Sequence, residues 1–397
     1  MAETPPLHVL TLNNISHIGL KRFPAERYVL GTHIDSPDAI LLRSQDLHAM
    51  ALPPSVKAIG RAGAGTNNIP VQQMSARGVP VFNAPGANAN AVKELVLASL
   101  LLGARNLLGA VRFVESLKGD DAALDKLVED GKKQFGGVEL PRHTLGIIGL
   151  GKIGSLVADA AIKLGMNVLG YDPDITVDAA WSLPSQVKKA HSIEEVVKSC
   201  EFVTLHVPLV DATRNLIGPE RIKLMKQGVV LLNFSRDGIV DNSAVLAGIE
   251  AKRIKFYLCD FPVRQLVGHP NVIAFPHLGA STREAEDNSA VMVVDQLRDY
   301  LEHGNVVNAV NFPDVIMPRE APYRVAIANS NVPNMLGQIS TTMALAGLNI
   351  HNMLNKSKGE MAYTLVDVDS AVPPQVVNQL AGIKGVLMVR YLPADKR

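Results

Sequence analysis

The sequence predicts an α/β protein: two Rossmann-like parallel sheets, the first built from discontinuous segments, and a small C-terminal ferredoxin-like βαββαβ module. Three observations carry this reading. Short apolar runs alternate with helix-like segments over most of the chain, the pattern of parallel strands joined by crossover helices. A glycine turn, Gly149-Leu150-Gly151-Lys152-Ile153-Gly154, opens straight after the apolar run Thr144–Ile148 and leads into a helix-like segment ending near Leu164. Beyond the linker Pro313–Pro318 the texture changes to strand, helix, strand, strand, helix, strand.

Taken in order, the first predicted strands are Leu7–Leu12, Ala39–Leu42, Ala58–Arg61 and Pro80–Phe82. Residues 89–108 are apolar at helical spacing and predict one long helix. After Thr144–Ile148 and Met166–Tyr171 come strands Phe202–His206, Val229–Asn233, Lys255–Asp260 and Val272–Phe275, separated by helices such as Ile193–Lys198 and Asn242–Ala251. A helix over Asp287–Leu301 returns the chain to the first domain. The last module reads Tyr323–Ala328, Leu336–Ala346, Asn349–Ser357, Met361–Val368, Pro374–Ile383 and Val386–Tyr391. The predicted domains are therefore residues 1–88 with 289–314, residues 89–288, and residues 319–397.

Composition leaves room for this and excludes other classes. At 397 residues the chain needs more than one core. A formal charge of +1 argues against nucleic acid or an anionic membrane as the main partner. The two cysteines, Cys200 and Cys259, are isolated, so no disulfide framework or metal site is expected, and each reads as a small buried hydrophobe. The N-terminal stretch Met1–Pro6 lacks a basic region followed by an apolar core, and no apolar stretch reaches the roughly 20 residues of a membrane span. The expectation is a cytoplasmic protein.

The glycine turn has the strand, turn and helix order of a dinucleotide site. Gly149 permits the tight turn, Gly151 lets backbone N–H groups approach a pyrophosphate, and Gly154 lets helix and strand pack closely. The helix N-terminus, with Lys152 and Ile153, adds partial positive charge. Asp172 ends the next apolar run about 20 residues further on, where a carboxylate accepts from the adenosine ribose hydroxyls. No arginine stands near it to hold a 2′-phosphate, so the cofactor expected is NAD.

Three more stretches fall at predicted strand ends, where ligands of open α/β sheets bind. They are His206-Val207-Pro208 with Thr213; Phe234-Ser235-Arg236; and Pro276-His277-Leu278-Gly279-Ala280, which follows Asp260 on the preceding strand. An arginine at such an edge suits a planar anion, which it can clamp bidentately. An imidazole there suits proton transfer. Three strand-end motifs on one edge of one sheet make coincidence the harder explanation.

With these motifs assembled, and with Arg61-Ala62-Gly63-Ala64-Gly65-Thr66-Asn67 and Asn83-Ala84-Pro85-Gly86 earlier in the chain, the sequence resembles the D-2-hydroxyacid dehydrogenases. The last module resembles the ACT regulatory domain that some members carry. The resemblance implies oxidation of 3-phospho-D-glycerate to 3-phosphohydroxypyruvate with NAD, the first step toward L-serine; the alternative is another D-2-hydroxy acid such as glycerate, or reduction of hydroxypyruvate or glyoxylate. It implies Arg236 and His277 as catalytic residues, with Arg236 holding the carboxylate and C2 oxygen and His277 exchanging the proton. The glycine turn, Asp172, His206, Val207, Pro208, Thr213, Phe234, Ser235, Asp260, Gly279 and Ala280 would line the cofactor. Arg43, Ser44, Arg61 and the backbone of Ala64 and Gly65 would meet the substrate. Asn329, Asn331 and Asn349 would hold L-serine as effector, and a homodimer or homotetramer is implied.

The sequence also departs from the family. Where relatives carry a glutamate that pairs with the histidine, this chain reads Cys259-Asp260-Phe261-Pro262-Val263-Arg264-Gln265. Either another carboxylate, Asp260 or Glu284, reaches His277, or the imidazole works unassisted. In the last module Asn329 stands where a histidine often lies, and Asn334 replaces a glycine at the start of the helix.

Overall fold

The computed structural model describes residues 5–393. Residues 1–4, the start of the N-terminal stretch considered above, and residues 394–397 lie outside the described residues. The chain forms two compact units, residues 1–87 with 286–397 and residues 88–285.

The first unit holds a parallel sheet of β1 (Leu7–Leu12), β2 (Tyr28–Gly31), β3 (Ala39–Leu42), β4 (Ala58–Arg61) and β5 (Val81–Phe82), in the order β2-β1-β3-β4-β5. All four residues of β3 are fully buried, as expected of a strand covered on both faces. The helix Arg283–His303 covers one face through Val293, Val294 and Leu297. Gly60 permits the approach: a Cβ there would stand 2.5 Å from Val293 Cγ1. Strand β2 was not expected, because it is a short edge with Val29 and Leu30 exposed, and its pattern resembles that of a loop.

The second unit carries a seven-stranded sheet of β6 (Thr144–Ile148), β7 (Asn167–Tyr171), β8 (Lys188–Lys189), β9 (Phe202–Leu205), β10 (Val229–Asn233), β11 (Ile254–Cys259) and β12 (Val272–Ala274). Its order is β12-β11-β10-β9-β6-β7-β8, and every pairing is parallel. The order reverses at β6, which places the crevice of this topology at the carboxyl end of β6. Helices Ala89–Arg105 and Lys152–Lys163 cover one face through Val92, Val96, Leu100, Val157 and Ala161. The predicted long helix is broken: Asn106 sits at φ +47, a left-handed conformation asparagine tolerates, and the helix Leu107–Ser116 departs at 62°. Cys200 and Cys259 are fully buried, and burial pushes Cys200 up to about 12, which keeps it a thiol.

The C-terminal part of the first unit is a second, antiparallel sheet of β13 (Tyr323–Ser330), β14 (Ile350–Lys358), β15 (Met361–Val368) and β16 (Val386–Leu392), ordered β14-β15-β13-β16. With the helices Met335–Leu345 and Pro374–Ala381 it follows the predicted βαββαβ order. One sheet face, with Val325, Ile327 and Val366, packs on those two helices. The other, with Ala326, Ala328, Tyr363 and Leu365, joins the core beneath the helix Arg283–His303. Here carbonyls at and just past the C-terminal end of that helix are met by side chains of the antiparallel sheet. Arg390 donates to Tyr300 O and Leu301 O at 2.9 and 2.8 Å, Arg324 to His303 O at 2.9 Å, and Tyr363 to Gly304 O at 2.8 Å. Arg324 is fully buried and also pairs with Asp367 at 2.6 and 2.8 Å.

Candidate active site

Each functional candidate of the second unit stands just past a strand's carboxyl end. Along consecutive strands of one sheet these are His277 after β12, Asp260 after β11, Arg236 after β10, His206 after β9, the glycine turn after β6 and Asp172 after β7. The glycine turn has the geometry its residues predict. Gly149 takes φ +96, and a Cβ there would lie 2.5 Å from His206 O. A Cβ on Gly154 would lie 2.0 Å from the Gly149 carbonyl oxygen, so only glycine lets the helix start this close to the turn. In front of Gly151 nothing lies within 4 Å. The helix Lys152–Lys163 starts from Gly151, which has no side chain to cap it, so its N-terminal end is open to an anion.

Asp172 is fixed by this turn. Its Oδ2 accepts from Leu150 N at 2.8 Å and its Oδ1 from Asp174 N at 3.0 Å, which leaves further lone pairs for ribose hydroxyls. The open space at Gly151, the uncapped helix end and this carboxylate fit the pyrophosphate and adenosine ribose of NAD.

At the neighbouring strand end, Thr204 Oγ1 lies 3.0 Å from His206 Nε2, while Nδ1 is buried without a hydrogen-bond partner among the described residues. Burial holds the imidazole at about 3, so it is neutral at physiological pH. Thr213 folds the following loop by accepting from Val210 N and donating to Pro208 O. Phe234 and Ser235 are buried, and Ser235 Oγ donates to Leu205 O at 2.7 Å.

Arg236 is exposed and donates one bond, from Nη1 to Ser235 O at 2.6 Å. Its backbone is set by Asn233, which the sequence reading missed. Asn233 Nδ2 donates to Arg236 O at 2.9 Å and Oδ1 accepts from Ser235 N at 3.2 Å. The available signal was one polar residue closing the apolar strand Val-Val-Leu-Leu-Asn.

His277 is exposed and adopts φ +57, uncommon for a residue with a side chain. The Phe261 ring meets it edge-on, with centroids 5.4 Å apart. Both oxygens of Asp260, one of the two acids expected near the ring, accept backbone N–H groups, from Leu278 and Gly279, at 2.7 Å each. Among the described residues neither Asp260 nor Glu284 forms an ion pair with His277. Asp260 therefore holds the loop after the histidine. Burial raises its carboxyl above the ordinary range, against the opposing pull of those two N–H groups and of His277.

In the first unit, β3 and β4 end side by side and carry Arg43 and Arg61. Arg61 Nε donates to Arg43 O at 3.1 Å, and its guanidinium covers Gly63, where a Cβ would lie 2.4 Å from Nη1. Ser44 N donates to Asn13 Oδ1 at 3.0 Å. The Ala64-Gly65 loop is braced by Asn83, whose Nδ2 donates to Ala64 O. In and beside the antiparallel sheet, Asn329 is buried with Oδ1 unpartnered among the described residues, Asn331 donates to Gly359 O, and Asn349 to Asp369. Asn334 adopts φ +63, the conformation a glycine would supply.

The fold and site define a dinucleotide-dependent α/β oxidoreductase. Residues 105–279 match the family described as D-isomer specific 2-hydroxyacid dehydrogenase, NAD binding domain. The chain is 33% identical over 351 residues to a D-3-phosphoglycerate dehydrogenase of Haemophilus influenzae, spanning 85% of this chain and 82% of that one. It is 36% identical over 293 residues to the D-3-phosphoglycerate dehydrogenase of Methanocaldococcus jannaschii, covering 72% of this chain and about half (52%) of that longer protein. An NAD+-bound 3-phosphoglycerate dehydrogenase of Entamoeba histolytica shares the fold, with TM-score 0.58 and 24% identity over 77% of this chain and 99% of that one. The chain belongs to the D-isomer specific 2-hydroxyacid dehydrogenases, and its cofactor is NAD.

Proposed function

We propose that the protein oxidises 3-phospho-D-glycerate to 3-phosphohydroxypyruvate with NAD, the first step of L-serine biosynthesis, in the cytoplasm. The observation that carries the dehydrogenase reading is the row of strand ends that puts Arg236, Asp260 and His277 beside the glycine turn and Asp172 on one sheet edge. NAD, when bound, accepts the hydride from C2. Gly149, Gly151, Lys152, Ile153 and Gly154 receive the pyrophosphate on backbone N–H groups, and Asp172 accepts from the ribose. His206, Val207, Pro208, Thr213, Phe234, Ser235, Asp260, Gly279 and Ala280 line the rest of that site.

Arg236 has donors left after its bond to Ser235 O, and they hold the substrate carboxylate and C2 oxygen, fixing the C2–H bond and stabilising charge on oxygen. His277 takes the hydroxyl proton at an imidazole nitrogen and returns it in the reverse direction. Arg43 and Arg61, with Ser44 and the Ala64-Gly65 backbone, provide the cations and donors that a phosphorylated acid requires. Residues 1–88 with 289–314 thus form the substrate domain, residues 89–288 the NAD domain, and residues 319–397 an ACT-type regulatory domain. There L-serine would meet Asn329, Asn331 and Asn349; the buried, unpartnered Asn329 Oδ1 supports a polar ligand. A homodimer or homotetramer completes this reading.

The test is initial-rate NAD reduction with 3-phospho-D-glycerate and D-glycerate, for the wild type and Arg43→Ala. Arg43→Ala should raise KM for the phosphorylated acid at least tenfold and leave D-glycerate nearly unchanged, since a charged hydrogen bond contributes about 1.5–3 kcal/mol. Equal losses on both acids would remove the phosphate assignment.

A further inference from the structure

Arg43, the cation at the end of β3, is not idle: its Nη2 lies 2.8 Å from Glu286 Oε1. Glu286 sits in the first turn of the helix Arg283–His303, where an acid also complements the helix dipole. Two neighbouring contacts fix its place. Ser16 Oγ donates to Asp287, and Gly19 lets the segment His17–Leu20 approach so closely that a Cβ there would stand 2.6 Å from Ala290 Cβ. The helix turn that carries the carboxylate is thus held by residues 16–20, which meet it at Asp287 and Ala290. Arg61 approaches the same point from β4 and is bonded to the Arg43 carbonyl.

We propose that Glu286 is a specificity-determining residue that competes with the substrate's phosphate for Arg43; this rests on the phosphate reading of Arg43 given above. The pair is 38% and 43% exposed, so water screens it and its strength is that of a surface ion pair. A phosphate, carrying about −1.5 to −2 charge and three acceptor oxygens, outcompetes a single carboxylate for the guanidinium. A group with one charge or none does not. Glu286 therefore gives Arg43 an intramolecular counter-ion in the absence of substrate and sets a threshold that only a strongly anionic group crosses. The cost falls on the phosphorylated substrate, which must displace the carboxylate before it binds.

Steady-state kinetics of Glu286→Gln, Arg43→Ala and the double variant, each with 3-phospho-D-glycerate and D-glycerate, test this. Glu286→Gln should lower KM for the phosphorylated acid about two- to fivefold, the range an exposed ion pair of up to about 1 kcal/mol allows. Its kcat and its KM for D-glycerate should hold, and the gain should shrink as salt is added. In the Arg43→Ala background the same substitution should change nothing, and Glu286→Ala should reproduce the result should the glutamine make a new bond. An unchanged KM, an equal change on both acids, or an equal gain without Arg43 would overturn the proposal. Should Arg43→Ala discriminate the two acids while Glu286→Gln is silent, only the competition fails; should Arg43→Ala not discriminate them, the phosphate reading fails with it.

Discussion

Burial of His206 makes a quantitative prediction about acid stability. The ring is held at about 3, against about 6.5 in an unfolded chain, because burial disfavours the imidazolium and nothing compensates. The unfolded state therefore takes up a proton that the folded state refuses. Stability is complete above about pH 6.5 and is lost as pH falls from there toward 3. At about pH 5 the loss is about 2 kcal/mol, since each pH unit below 6.5 costs about 1.4 kcal/mol. Other groups titrate over the same interval, so the measurement is a difference. Guanidinium unfolding of the wild type and of His206→Gln, at about pH 7.5 and about pH 5, should show the wild type losing about 2 kcal/mol more. Glutamine keeps a polar atom facing Thr204 and removes the titration. An equal acid loss in both proteins would show that the ring is hydrated or partnered, and would refute the reasoning.

Two further substitutions probe the packing around the site and the last sheet. Gly154→Ala should abolish NADH binding in a fluorescence titration and destabilise the second unit by about 1–3 kcal/mol, because its Cβ would lie 2.0 Å from a backbone oxygen; Gly151→Ala, facing open space, should weaken NADH while sparing the melting temperature, and matched melting losses would refute the distinction. Arg324→Met should cost about 3–5 kcal/mol in chemical denaturation by leaving Asp367 charged and unpaired in the core, and a second change, Asp367→Leu, should recover a large part of that; a double variant as unstable as the single would show that the lost cap on His303 O, not the stranded charge, sets the cost.

What the sequence made legible follows the range of the interactions involved. The glycine turn and Asp172 were readable because each demand is local: a positive φ, a Cβ with no room, a carboxylate at a strand end. Arg236 and His277 were readable as strand-end residues, and parallel sheets gather strand ends on one edge. Asn106 broke a helix that apolar spacing made continuous, since periodicity does not register one left-handed residue. Asn83 and Glu286 escaped because their partners lie on other elements, and nothing in one chain's spacing pairs Arg43 with Glu286 or Asn83 with Ala64; Asn233 escaped although its bonds to Ser235 and Arg236 are local, because one polar residue closing an apolar strand is an ordinary strand end. The fusion of the antiparallel sheet to the helix Arg283–His303 escaped for the same reason: Arg324, Tyr363 and Arg390 read as ordinary strand residues until the helix end they cap is in place.

On the role proposed for His277, the glutamate expected from the resemblance has a counterpart in bonds made elsewhere in the chain. A carboxylate paired with a catalytic histidine fixes the ring's orientation directly. In this chain Asp260 occupies the end of β11, adjacent to the strand that leads to His277, yet it binds the two peptide N–H groups that follow the histidine, at 2.7 Å each. These bonds restrain the loop on the carboxyl side of His277, while β12 restrains it on the amino side. The edge-on Phe261 ring limits where the imidazole can turn. The left-handed backbone at φ +57 is tolerated because both flanks are pinned, and it directs the side chain to solvent at the sheet edge where Arg236 also stands exposed. On the role proposed for His277, orientation comes from backbone and packing, with Asp260 holding the chain around the ring.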